Sequence, residues 1–76
     1  MDIDTTRRLA GYRRNGPNYL HHDDFENVVD VMRAIVDARH GVSAPLVYER
    51  DSFDSVSFYP DGRDGGMISL RNAEAR

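Results

Sequence analysis

The stretch Asp24–Gly41, "DFENVVDVMRAIVDARHG", decides how the rest of the chain is read. Phe25, Val28, Val29, Met32, Ile35 and Val36 fall at i, i+3, i+4, i+7, i+10 and i+11, one continuous stripe on a helix of 3.6 residues per turn. Glu26, Asp30, Arg33 and Asp37 occupy the opposite side, where Arg33 can pair with either aspartate at the surface. Gly41 is the expected stop, because it takes the left-handed conformation without a Cβ penalty. The expectation is a main helix over 24–40 whose stripe is buried. A charge at Val29 should then cost most of the stability of so small a domain.

Beyond Gly41 the period changes to two. Leu46 with Tyr48, Val56 with Phe58, and Ile68 with Leu70 mark three short runs rich in β-branched and aromatic residues. "RDSFD" separates the first two runs. "PDGRDGG" separates the second two, with Pro60, Asp61 and Gly62 suited to a tight turn and Gly65 and Gly66 free to take positive φ. Runs joined this tightly predict a three-stranded antiparallel meander over 45–71, packed on the helix. Its far face would carry Val47, Tyr59 and Met67 between serines 55, 57 and 69, with Arg71 at one end. Either Ile3, Leu9 and Tyr12 of the N-terminal segment cover that face, or a partner covers it or pairs with an open sheet edge.

Residues 1–20 form an arginine-rich N-terminal segment. "DTTRRLA", closed by Gly11, reads as a short helix capped by Asp4 or Thr5, and "RNGPNY" as an irregular connection. The tail over 72–76 is too short to add an element and should fray. The expected fold class is therefore α+β: a short N-terminal helix and one long amphipathic helix packed on the meander, in the order α-α-β-β-β, as a single domain over 1–76.

Seventy-six residues leave little room for a deep cavity, and the absence of cysteine excludes disulfides, thiolate metal sites and cysteine nucleophiles. With no leader-like apolar run and no stretch approaching a membrane span, a soluble, cytoplasmic protein is expected. All ten basic residues are arginine, which fits a GC-rich genome, bacterial or phage. The net charge of −3 is unevenly spread: residues 1–20 stand at +2, residues 21–40 at −3 and residues 41–76 at −2.

"HHDD", residues 21–24, looks first like metal chemistry, with His40 as a third imidazole. A helix over 24–40 is about 25 Å long, which puts His40 at the end opposite His21 and His22. The better reading is punctuation: Asp23 as N-cap, Glu26 completing a capping box, Asp24 beside the positive end of the helix dipole. The histidine pair then has no task in capping and is assigned to a surface contact. The adjacent His and Asp are also found in HD-type nucleotide hydrolases, but those need further ligands over a much longer helical domain.

The arginines Arg7, Arg8, Arg13 and Arg14, interleaved with Tyr12 and Tyr19, could grip phosphates while the rings stack on bases. The order of a helix then three antiparallel strands is similar to that of double-stranded-RNA-binding domains, whose basic second helix is replaced here by "RNAEAR". The acids Asp23, Asp24, Glu26, Asp30 and Asp37 on the helix, with Glu49, Asp51 and Asp54 around the first hairpin, could together form a patch suited to a cationic groove. "DGRDGG" lacks the ligand spacing of a calcium loop, and no nucleophile elbow, phosphate loop or H-E-x-x-H occurs.

These features lead to the expectation of a non-catalytic binding or inhibitor protein without a cofactor. It would act by protein–protein contact on a host nucleic-acid-binding complex, as anti-CRISPR products of phages and mobile elements do. The alternative is a nucleic-acid-binding accessory protein that uses the arginine and tyrosine segment.

Overall fold

The computed structural model describes residue 13, residues 15–42 and residues 44–75. The expected helix in "DTTRRLA" and the covering role of Ile3, Leu9 and Tyr12 lie outside the described residues. Within them the order is β1 (Gly16–Leu20), α1 (His22–Glu26), α2 (Val28–His40), β2 (Tyr48–Ser52), β3 (Ser55–Phe58), β4 (Ile68–Asn72) and a 3-10 turn (Ala73–Ala75). The α+β class holds, but the sheet is not a three-stranded antiparallel meander. It has four strands in the order β1-β4-β3-β2, with β1 parallel to β4 and the other neighbours antiparallel.

The extra strand is the segment "GPNYL", read from sequence as a break. Gly16 stands opposite Ile68 and Leu20 opposite Asn72. Asn15 makes the entry possible: it takes φ of +60°, which asparagine tolerates better than most residues. Its N–H donates to the Met67 carbonyl, and its side-chain Oδ1 accepts the Met67 N–H at 3.2 Å. Pro17 has no N–H to offer, and an edge strand is where such a residue is tolerated. Asn18 is buried, with Oδ1 accepting the Arg13 N–H at 2.9 Å and Nδ2 donating to the carbonyls of Arg13 and Gly16.

The predicted single helix is divided at Asn27, which has φ −111° and ψ 34°. The Asn27 side chain donates to the Asp23 carbonyl at 3.1 Å, the local competition that makes asparagine unfavourable inside helices. α2 then buries Val28, Val31, Met32, Ile35 and Val36, while Val29 is 46% exposed. The stripe is thus corrected at one position. At 100° per residue Val31 lies about 60° to one side of Val28 and Val29 about 100° to the other. The sheet-facing arc, centred between Val28 and Ile35, reaches the first and stops short of the second. Gly41 ends the helix, its N–H on the Asp37 carbonyl at 3.0 Å, with φ +90° and ψ 165°; this is a region of positive φ other than the expected left-handed one.

Val56, Phe58, Ile68 and Leu70 form the inner face of the sheet, as the period-two pattern predicts, and Leu20 joins them from β1. β2 contributes no buried residue: all five positions are exposed, Tyr48 included, and Leu46 just before it packs only partly on the core. In the β3–β4 loop the positive φ falls on Gly62. Gly65 is needed for close approach, because a Cβ there would meet the Asp61 Cβ at 2.9 Å. The tail does not begin at 72 as a fray: Asn72 ends β4 and residues 73–75 turn back as a 3-10 helix.

No described helix is long and apolar enough to cross a membrane. The divided stripe gives a direct check by urea denaturation. Val31→Asp buries an unpaired carboxylate and should lower stability by several kcal/mol, whereas Val29→Asp should stay within about 0.5 kcal/mol of the parent. Equal loss in both variants would return Val29 to the core.

Candidate functional site: two histidine clusters and an outer hairpin

The start of α1, the end of β4 and the β2–β3 turn meet at one end of the sheet, and Asn72 ties them together. Its backbone N–H donates to the Asp54 carbonyl at 3.0 Å, its Oδ1 accepts the Glu74 N–H at 3.0 Å, and its Nδ2 lies 3.1 Å from His22 Nδ1. An amide nitrogen can only donate, so His22 Nδ1 accepts and the ring proton sits on Nε2, 3.0 Å from Glu26. His21 repeats the arrangement. Its Nδ1 accepts the Asp23 N–H at 3.3 Å and its Nε2 lies 3.1 Å from Glu74.

The N-cap of α1 is therefore His21 and not Asp23, and Glu26 serves His22 instead of closing a capping box. Asp23 and Asp24 do stand in the first turn, where negative charge complements the helix dipole. The histidine pair, left over in the sequence reading, clasps the helix start to the C-terminal turn.

His40 lies at the other end of α2, about 20 Å away by helix rise. Its Nε2 is 2.7 Å from Asp61 Oδ1, and Arg39 approaches the other Asp61 oxygen at 3.8 Å. His40 and Asp61 border an open recess of about 290 Å³ whose other walls are Ala44, Pro45, Val47, Pro60 and Gly62. Among the described residues no three histidine, aspartate or glutamate side chains converge as a metal site.

The acids expected to form one patch are divided among separate tasks. Asp37 holds Arg33 through contacts of 2.6 and 2.7 Å, and Glu49 holds Arg63, whose guanidinium lies 5.2 Å from the Tyr59 ring centre. Asp54 accepts the Ser52 hydroxyl at 2.6 Å. Asp51 accepts Ser57 at 2.6 Å and Ser55 at 3.2 Å. Asp30 is exposed on α2 with no partner among the described residues. Glu26 and Asp54 do come to the same end of the sheet, joined through His22 and Asn72; Asp37 belongs to the last turns of α2, toward the opposite end.

The serines of the outer sheet face are withdrawn from solvent. Ser55, Ser57 and Ser69 are all buried. Ser57 gives its proton to Asp51, so in its 3.2 Å contact with Ser69 it accepts. The chain Ser69 to Ser57 to Asp51 crosses three strands and anchors the residue at which β2 carries an irregularity, between Arg50 and Ser52.

Of the arginine and tyrosine candidates, Arg7, Arg8, Tyr12 and Arg14 lie outside the described residues. Arg13 is exposed and tied by its backbone to Asn18, and Tyr19, 45% exposed, stands beside Arg71 across the β1–β4 pair. Sequence reasoning missed Asn15, Asn18, Asn72 and Glu74. Asparagine just before β1 and at the end of β4 was the available signal, since short amides close turns and satisfy strand ends.

The strongest exposed feature is the hairpin. Phe53, at the tip, is 83% exposed, and Arg50 Nη1 holds the carbonyls of Ser52 and Phe53 at 3.0 Å each, fixing the turn that presents it. Comparison with protein-family models, with curated proteins and with solved structures gives no match to this chain.

The histidine clasp has a measurable consequence. His21→Ala removes the cap acceptor and the Glu74 contact together and should lower stability by about 1 kcal/mol, seen as an earlier urea midpoint at unchanged slope. An unchanged midpoint would mean that Asp23 can take over as cap.

Proposed function

We propose that the protein is a non-catalytic binding protein that recognises another protein through the β2–β3 hairpin. The observation that carries the reading is the exposure of the whole edge strand Tyr48–Ser52 together with the rigidly presented Phe53. Aromatic side chains held at low conformational cost are the usual anchors of protein interfaces. A chain of 76 residues that places one sheet edge outside its own core has surface to offer but few groups arranged for chemistry. The described histidines support this: each is engaged in a contact within the fold.

The acidic charge favours a cationic partner, and a host nucleic-acid-binding complex fits that description. An inhibitor of the anti-CRISPR kind, from a phage or mobile element, is the corresponding biological role. Simple imitation of a phosphate row draws less support, because Asp37, Glu49, Asp51 and Asp54 are bonded within the chain. The second reading, nucleic-acid binding, is favoured by the exposed Tyr19 beside Arg71 and by the arginines that precede them.

Affinity capture from a bacterial lysate, at low and high salt, tests the proposal with the parent chain and with Phe53→Asp. A stoichiometric protein retained by the parent and reduced at least about tenfold by the variant, at unchanged circular dichroism, is the expected result. Capture indifferent to Phe53 would remove the hairpin from the contact. Recovery of nucleic acid alone would transfer the function to the Tyr19 and arginine surface.

A further inference from the structure

Resting on the reading just given, we infer that the β2 edge receives an extended segment of the partner protein in which basic and apolar side chains alternate, and that a second copy of this chain is refused there. The hydrogen-bond phase of the hairpin sets the geometry. The Tyr59 N–H donates to the Val47 carbonyl at 3.0 Å, so Val47 and Glu49 bond toward β3, opposite Tyr59 and Ser57. By the alternation of antiparallel ladders, Tyr48 and Arg50 then turn their N–H and C=O groups outward, to the side where no strand lies among the described residues.

The side chains give the occupant its pattern. Glu49 and Asp51 lie on the outer sheet face, where Glu49 is opposite Ser57 and Asp51 bonds Ser57 and Ser55. Tyr48 lies on the other face, in the row of Phe58 and Ile68, and is 44% exposed. A strand added at this edge would set alternate residues against the two carboxylates and the intervening ones against the Tyr48 ring. Toward the turn the apolar positions would approach Phe53 at the tip. Arg63 already holds Glu49, but both side chains are more than half exposed, and such a pair yields readily to an incoming cation.

The same charges exclude self-association. In antiparallel pairing of two β2 strands, bonding Tyr48 to Arg50 of the second copy sets Glu49 directly against Glu49. Bonding Arg50 to Arg50 sets Glu49 against Asp51. Like charges directly opposite one another destabilise a strand pair, and an irregular, charged edge is the common defence against such pairing.

The test uses the full chain, labelled with nitrogen-15, and three capped octapeptides. One alternates arginine and valine, one alternates glutamate and valine, and one has the four arginines and four valines in separate blocks. The alternating arginine peptide should shift the amide signals of Tyr48 and Arg50, slow their hydrogen exchange, and bind at least about fivefold more tightly than the block peptide. Glu49→Lys should weaken it about tenfold, and the glutamate peptide should leave these signals unmoved. Equal binding of the block peptide, shifts confined to the α1 and α2 acids, no binding at all, or a sedimenting dimer that protects Tyr48 would each overturn the inference. If these fail while capture of a protein still depends on Phe53, the hairpin remains the contact and only its extended basic occupant is refuted. If capture is also indifferent to Phe53, both readings fall.

Discussion

Everything in this molecule depends on strand β4 being bonded on both sides. Ile68 and Leu70 are fully buried, and β4 receives β3 along one edge and β1 along the other. The β3 contact is local and needs only a turn. The β1 contact joins Gly16 to Ile68 across most of the chain and encloses both helices and the first hairpin. Closing so long a loop is entropically unfavourable, although the cost grows only with the logarithm of its length. Burial of Leu20 against the core contributes to offsetting that cost, and so do two polar fastenings. Asn15 with Met67 fastens one end of the pair, and His22 with Asn72 and His21 with Glu74 fasten the other.

That closure explains which parts of the fold could be read from the residues. The helix over 28–40 and the inner faces of β3 and β4 were legible because each carries its own periodic apolar pattern. β1 was not, since Gly16, Asn18 and Leu20 share one face and only Leu20 is apolar. Its strand character comes from a partner more than fifty residues downstream, not from its own alternation. The division at Asn27 is local, made by the asparagine side chain on the Asp23 carbonyl, and the apolar spacing did not announce it. The choice of Val31 over Val29 was a tertiary decision, since it depends on where the sheet lies relative to the helix axis.

The candidate site shows the same division in a different form. "HHDD" was read as capping on helix length and cap preference, and the cap was assigned to Asp23, the better cap former by propensity. His21 holds the position instead, and with its second nitrogen on Glu74 one side chain serves both the cap and the C-terminal turn. The carboxylates were legible as charges but not as pairs. Arg63 on Glu49 and the serines on Asp51 are cross-strand contacts, which no spacing along the chain announces.

The two edges of the sheet are consequently unequal, and the inequality bears on function. β1 sits beside the buried centre of the sheet, contributes Leu20 to the core, and carries Pro17, which removes a backbone donor from that edge. β2 contributes nothing to the core and keeps the outward donors and acceptors of Tyr48 and Arg50. A strand with no share in core packing is retained in the fold by its ladder to β3, by Asp51 on the serines and by Arg50 on the turn carbonyls. Those bonds stiffen β2 without covering it. Preorganisation of that kind lowers the ordering cost of adding another strand, so the edge that does least for the stability of the domain is the one best prepared for a partner.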